Sequence, residues 1–138
     1  METLLAAAAL TTSAAIMGSM VFFGAVIAPT AFGVLSAQDA GAFVRAVFPR
    51  YYSGFVIASG VATVFAAAAG TGVLAWVLAA VTASFAAARY LLMPAINRAR
   101  DSGRAKLFNR LHGSSVVLNM VQLVALAGVV VALALGTG

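Results

Sequence analysis

FNRLHGSSVVLNMVQLVALAGVVVALAL, residues 108–135, decides how the rest of the chain is read. From Ser114 to Leu135 it carries no charged side chain. A run of that length crosses the hydrocarbon core of a bilayer as a helix. The same stretch opens with the single histidine of the chain and continues with polar residues inside the apolar run. At about 100° per residue, His112, Ser115, Asn119 and Gln122 share roughly a quarter-turn of one helix face, with Phe108 on the same side. The stripe covers about 15 Å of axis. It therefore starts near a membrane surface and reaches toward mid-depth, and it must face other helices or a cavity rather than acyl chains.

Working outward, composition agrees with a membrane protein. The 138 residues are 64% hydrophobic and 8% charged, with a mean hydropathy of +1.09, whereas soluble chains are about 25% charged. Three more apolar runs are spans: residues 4–28, 51–69 and 72–93, followed by 114–135. The expected fold is all-α, a four-transmembrane-helix bundle forming a single domain over residues 1–138. Glu2 and the long first run argue for a retained helix rather than a cleaved signal peptide. Gly18 and Gly24 in the first span offer small surfaces for a neighbouring helix.

Between spans one and two, Ser36 followed by Asp39 matches a capping box and starts a helix near Ala37. Ala40, Phe43, Val44, Val47 and Phe48 repeat at helical spacing, so a short amphipathic interfacial helix, ended by Pro49, is expected here. It would connect the two spans or lid a cavity between them. Tyr51 and Tyr52 suit the headgroup level. Gly70-Thr71-Gly72 is a tight hairpin, Asp101 or Ser102 is a candidate cap for the fourth helix, and Gly136-Thr137-Gly138 is a frayed end.

All eight Lys and Arg residues lie in the loops at 29–50 and 93–113 or, for Arg89, at the adjoining helix end. The positive-inside rule puts both loops in the cytoplasm and both termini outside. A basic balance spread over short loops reports topology rather than nucleic-acid binding.

The chemical inventory is narrow. The chain has no cysteine, which removes disulfides and thiolate sites. Its acids, Glu2, Asp39 and Asp101, all lie outside the spans, which excludes paired-carboxylate catalysis, di-iron sites and a credible Ser-His-acid triad. One histidine cannot assemble a zinc site or two-histidine haem ligation. A single haem held by His112, with Met93 or Met120 opposite, stays open. Binding chemistry is what remains. Asn119 and Gln122 need partners in hydrocarbon: either interhelical bonds to Thr11, Ser13, Ser19, Ser59 or Thr63, or a polar pocket. Arg89 either snorkels to the headgroups or points inward to hold an anionic or polar group beside His112. The candidate ligand-binding residues are His112, Ser115, Asn119, Gln122, Arg89 and Arg110, with no catalytic or metal-ligating residue among them.

Three stretches go beyond composition: VFFGAVIAPTAFGVL at 21–35, AVFPRYYSG at 46–54 and FNRLHGSSVVLNMVQL at 108–123. Together they resemble the transmembrane-protein-205-like family of four-helix membrane proteins. Phe22, Phe23, Pro29, Ala31 and Phe32 fill its first pattern. Phe48, Pro49, Tyr51 and Tyr52 fill the second, with Val47 where leucine is usual. Phe108, Arg110, Leu111, His112, Gly113, Ser115, Leu118 and Asn119 fill the third. The resemblance implies a four-helix fold and an association with cisplatin resistance, which in this cysteine-free chain would fall to methionine sulfur.

The expected function is a non-enzymatic integral membrane protein with a cytoplasm-facing polar pocket or partner-docking face. Its partners would be the lipid bilayer and a small hydrophobic ligand or another membrane protein, with a role in lipid or small-molecule binding or in drug or metal resistance. The alternatives are a redox or oxygenase protein holding haem or quinone, and an accessory subunit of a larger membrane complex.

Overall fold

A computed structural model describes residues 1–136; Thr137 and Gly138, part of the expected frayed end, lie outside the described residues. Four long helices make up the chain: α1 (Glu2–Val34), α2 (Ala37–Ala68), α3 (Val73–Asp101) and α4 (Ala105–Ala134). They pack in a ring in chain order. Each helix contacts the next and α4 closes onto α1, while helices on opposite corners make no close backbone approach. All four are long and apolar enough to cross a membrane. The chain is a multi-pass integral membrane protein with an all-helical fold.

The inward faces follow helical spacing. Ala9, Ser13, Ile16 and Met20 on α1 are buried against Tyr52, Phe55, Ser59 and Ala62 of α2, Leu78, Val81 and Phe85 of α3, and Gln122, Leu126 and Val129 of α4. Large apolar side chains such as Trp76 (79% exposed) and Val124 (72%) face outward, the expected outer surface of a bundle solvated by lipid tails. Gly18 and Gly24 also face outward, where an added Cβ would meet nothing. The small-residue surface expected of α1 is therefore not a helix contact within the bundle.

The chief departure from the sequence reading is that the loops are largely helical. With 33, 32, 29 and 30 residues, the helices run roughly 44–50 Å, well beyond the ~30 Å hydrocarbon core. The segment expected as a separate interfacial helix is the first third of α2, which passes through Pro49 without a break. Proline removes the backbone donor that would reach the Arg45 carbonyl and crowds the preceding turn; two arginine side chains bond to neighbouring carbonyls. Arg50 Nη1 donates to the Ala46 carbonyl (2.9 Å), and Arg89 Nε donates to that of Pro49 (3.1 Å). In α1 and α3 a π-helical segment, Phe23–Ile27 and Ala88–Leu92 respectively, ends two residues before Pro29 and Pro94. A widened turn relieves the clash that would otherwise stop the helix.

Turn chemistry explains where the helices do end. Ser36 caps α2 by accepting from Asp39 N–H at 3.1 Å, as the capping motif requires. At the far end of α2, Gly70 (φ +73°) supports the Schellman pair Thr71 N to Ala66 O and Gly70 N to Ala67 O. Gly103 (φ +67°) closes α3 in the same way. Asp101 and Ser102 consequently terminate α3 and do not cap α4, whose first turn has no side-chain cap. Ser102 Oγ donates back to Arg98 O at 2.6 Å, and Asp101 is engaged by Arg45 at 2.7 Å.

Candidate functional site

At the end of the bundle that carries the 35–36 and 102–104 turns, the four helices leave a cavity of about 400 Å³. Its first wall is the extension of α2, where Gly41, Val44, Phe48 and Tyr52 fall at three- and four-residue spacing. Leu92, Met93 and Ile96, the part of α3 just past its π segment, form the second. The third is the opening of α4, with Phe108, His112, Ser115 and Asn119 in register. Phe32, from the end of α1, closes one side. The helix extensions through Pro29, Pro49 and Pro94 are therefore what create this space.

Burial deepens along the α4 stripe. His112 is exposed at the mouth, its ring stacked on Phe108 (centroids 5.7 Å, planes 6° apart). Ser115 is half-buried and donates to the His112 carbonyl at 2.7 Å. Asn119 is deeper: its amide meets the Tyr51 hydroxyl, while its Oδ1 is buried without a hydrogen-bond partner. Gln122 is only 2% exposed and has left the cavity for the bundle core. Its Nε2 donates to Ser84 Oγ at 2.9 Å, so its partner is on α3 rather than any of the residues expected from sequence.

Three of the six candidate residues, Gln122 and two arginines, are not brought to this cavity. Arg89 turns toward α2, where its Nε bonds Pro49 O and Ser53 Oγ (3.1 and 3.2 Å). It is a strut between helices and does not stand beside His112. Arg110 is exposed and does not line the cavity. Of the methionines considered opposite His112, Met93 shares the cavity, whereas Met120 is 51% exposed and away from it. Among the described residues no group of three or more His, Cys, Asp or Glu gathers anywhere.

The cationic side chains at the cavity are instead Arg45 and Arg100. Arg45 is held by Asp101 across 56 positions of sequence. Arg100 lies against Gly41, where a Cβ would come within 2.6 Å of its Nη2. The absent side chain at position 41 makes room for the guanidinium. Sequence reading missed this pair because α2 had been stopped at Pro49. Continued through the proline, the spacing of Gly41, Val44, Phe48 and Tyr52 gives a single inward face.

Below the cavity, aromatic rings form a floor. Phe23 contacts Phe48 and Tyr51 (5.4 and 5.0 Å), Tyr51 contacts Phe55 (4.2 Å), and Phe55 contacts Phe85 (5.2 Å). Tyr52 is buried and Tyr51 half-buried, so both turn inward and are not headgroup anchors. Trp76 and Tyr90, at 79% and 61% exposed, do face outward.

All three stretches behind the family resemblance reach this one place. Phe32 comes from the first, Phe48 and Tyr52 from the second, and Phe108, His112, Ser115 and Asn119 from the third. Comparison with curated proteins and with solved structures returns no match. Residues 11–105, which take in α1 from Thr11 onward, α2 and α3 with the Gly41–Arg100 contact but stop short of His112, match the profile of a family described as a domain of unknown function, DUF4149. That match covers more than half of the chain, and the protein belongs to this family.

Proposed function

We propose that this protein binds a small molecule or lipid in the cavity between the extended ends of its helices, without carrying out chemistry on it. The observation that carries this reading is the cavity of about 400 Å³ itself, into which His112, Ser115 and Asn119 of one helix face converge among apolar side chains. Cavities of roughly 300–1,000 Å³ with apolar walls and a few convergent polar groups are the usual form of small-ligand sites. His112, Ser115 and Asn119 supply the polar groups; Gln122 supports the helix behind them.

Kinship with the transmembrane-protein-205-like proteins is part of the proposal, since the residues that fill that family's patterns converge on the cavity. So is orientation. Every basic residue lies toward the cavity end of the bundle, and the positive-inside rule then opens the site to the cytoplasm. By length, the cavity sits where the helices outrun the hydrocarbon core, at headgroup level.

Native mass spectrometry of the protein released from mild detergent tests the reading. A co-purifying small molecule or lipid is expected on the wild-type chain, and Asn119→Ala and His112→Ala are expected to lose it while helical content by circular dichroism stays the same. Equal retention in all three proteins would contradict the proposal.

A further inference from the structure

We infer that the cavity selects a one-chain organic anion and that Arg100 binds its carboxylate or phosphate head; this rests on the cavity being a ligand site. The charge inventory points to an anion. Arg45, Arg100 and His112 line the cavity. Of the acids on these helices, Asp101 is bonded to Arg45 at 2.7 Å and Asp39 accepts from Ser36 Oγ at 2.6 Å. Among the described residues Arg100 has neither an acidic partner nor a side-chain hydrogen bond. A guanidinium presents a planar fork of donors that matches a carboxylate or phosphate. It is seated at the wall because position 41 has no Cβ, which would lie 2.6 Å from its Nη2. Beside it the walls are apolar: Phe48, Leu92, Met93 and Ile96. A charged head next to a greasy slot suits an amphiphile. A volume of about 400 Å³, near the small end of the ~300–1,000 Å³ typical of ligand sites, suits one chain rather than a two-chain lipid.

The test is calorimetric titration of the full chain in phosphatidylcholine nanodiscs at low salt, with empty nanodiscs as the blank. The probes are decanoate, decyl phosphate and the neutral decanol. Saturable binding above the blank is expected for either anion, and their ratio reports whether a fatty carboxylate or a phosphate is preferred. Decanol is expected to bind about tenfold more weakly or worse. Arg100→Gln should weaken anion binding about tenfold and leave decanol unchanged. Gly41→Ala, which keeps the charge but displaces the guanidinium, should weaken it in the same direction. Arg98→Gln removes the same charge from an exposed neighbour that does not line the cavity, and should stay within about twofold, as expected for a screened surface charge.

Equal losses in Arg98→Gln and Arg100→Gln would overturn the inference, because binding would then follow surface charge. Decanol binding as tightly as decanoate, with both weakened by Asn119→Ala, would overturn the anion selectivity while leaving the cavity a binding site. No probe exceeding the blank would overturn the inference as well.

Discussion

The two ends of the bundle are made from the same four helices and finish differently. At the end that carries the Gly70–Gly72 turn, the inward positions are small or aliphatic. Ala9, Ala62, Ala66 and Leu78 are fully buried there, and none of the eight basic residues is present. At the other end Phe48, Tyr51 and Tyr52 turn inward and Phe23 packs on the first two, and the helices leave about 400 Å³ between them. Small side chains let helix backbones close on one another. Aromatic rings hold them apart, and above the ring floor the space is lined by His112, Ser115 and Asn119 beside apolar side chains. The contrast teaches that the same four helices close on one another at one end and leave room at the other, where the proposed ligand would sit.

The largest effect that breaks this contrast is expected at Phe85, fully buried where the two halves meet and in ring contact with Tyr52 and Phe55 (6.4 and 5.2 Å). Phe85→Ala should cost about 3–5 kcal/mol in denaturant unfolding from mixed micelles, and should lower ligand retention by collapsing the cavity floor. Next comes the polar contact beneath the cavity. Ser84→Ala strips the Gln122 amide of its 2.9 Å partner and should cost about 1–3 kcal/mol in the same assay. Gln122→Leu removes both the bond and the buried, unpartnered Oε1, so it should cost clearly less; the reverse order would mean that the amide has another partner.

A third change addresses the closed end alone. Gly70→Ala places a side chain at φ +73° and should destabilise by about 1–2 kcal/mol without altering what co-purifies. The smallest effect is expected at the mouth of the cavity. Asp101→Asn releases Arg45 from an exposed ion pair and should move stability by no more than about 1 kcal/mol. Anion affinity should nonetheless rise, because a second guanidinium becomes free beside Arg100. A fall in affinity would show that the Asp101–Arg45 pair is itself part of the site.

Much of the fold was legible in the chain because its signals are local. Four long apolar helices, the Ser36–Asp39 cap and the Gly70–Gly72 turn are all read from short stretches of sequence. The inward rotation of Ser115, Asn119 and Gln122 was legible for the same reason, since lipid leaves a polar stripe no other face to take. What could not be read is how the three prolines are accommodated. Pro29 and Pro94 follow widened π turns, a backbone compensation for a residue whose local preference is to end a helix, and α2 runs on through Pro49. Because the helices continue, the expected interfacial helix becomes a cavity wall.

Long-range pairs were equally hidden. Arg45 meets Asp101 and Arg100 meets Gly41 across more than fifty positions, and no spacing rule within one helix reaches that far. Arg89 and Arg110 drew attention as charges near the stripe, but helix rotation sends the first to Ser53 and leaves the second exposed.

An experimental density map of the protein extracted into lipid nanodiscs, with no ligand added, tests the central claim most directly. The account predicts a continuous, non-protein feature between Asn119 and the Arg100–Gly41 contact, its outer end against the guanidinium. Helices closed together over that space, with no room left above the aromatic floor, would contradict it.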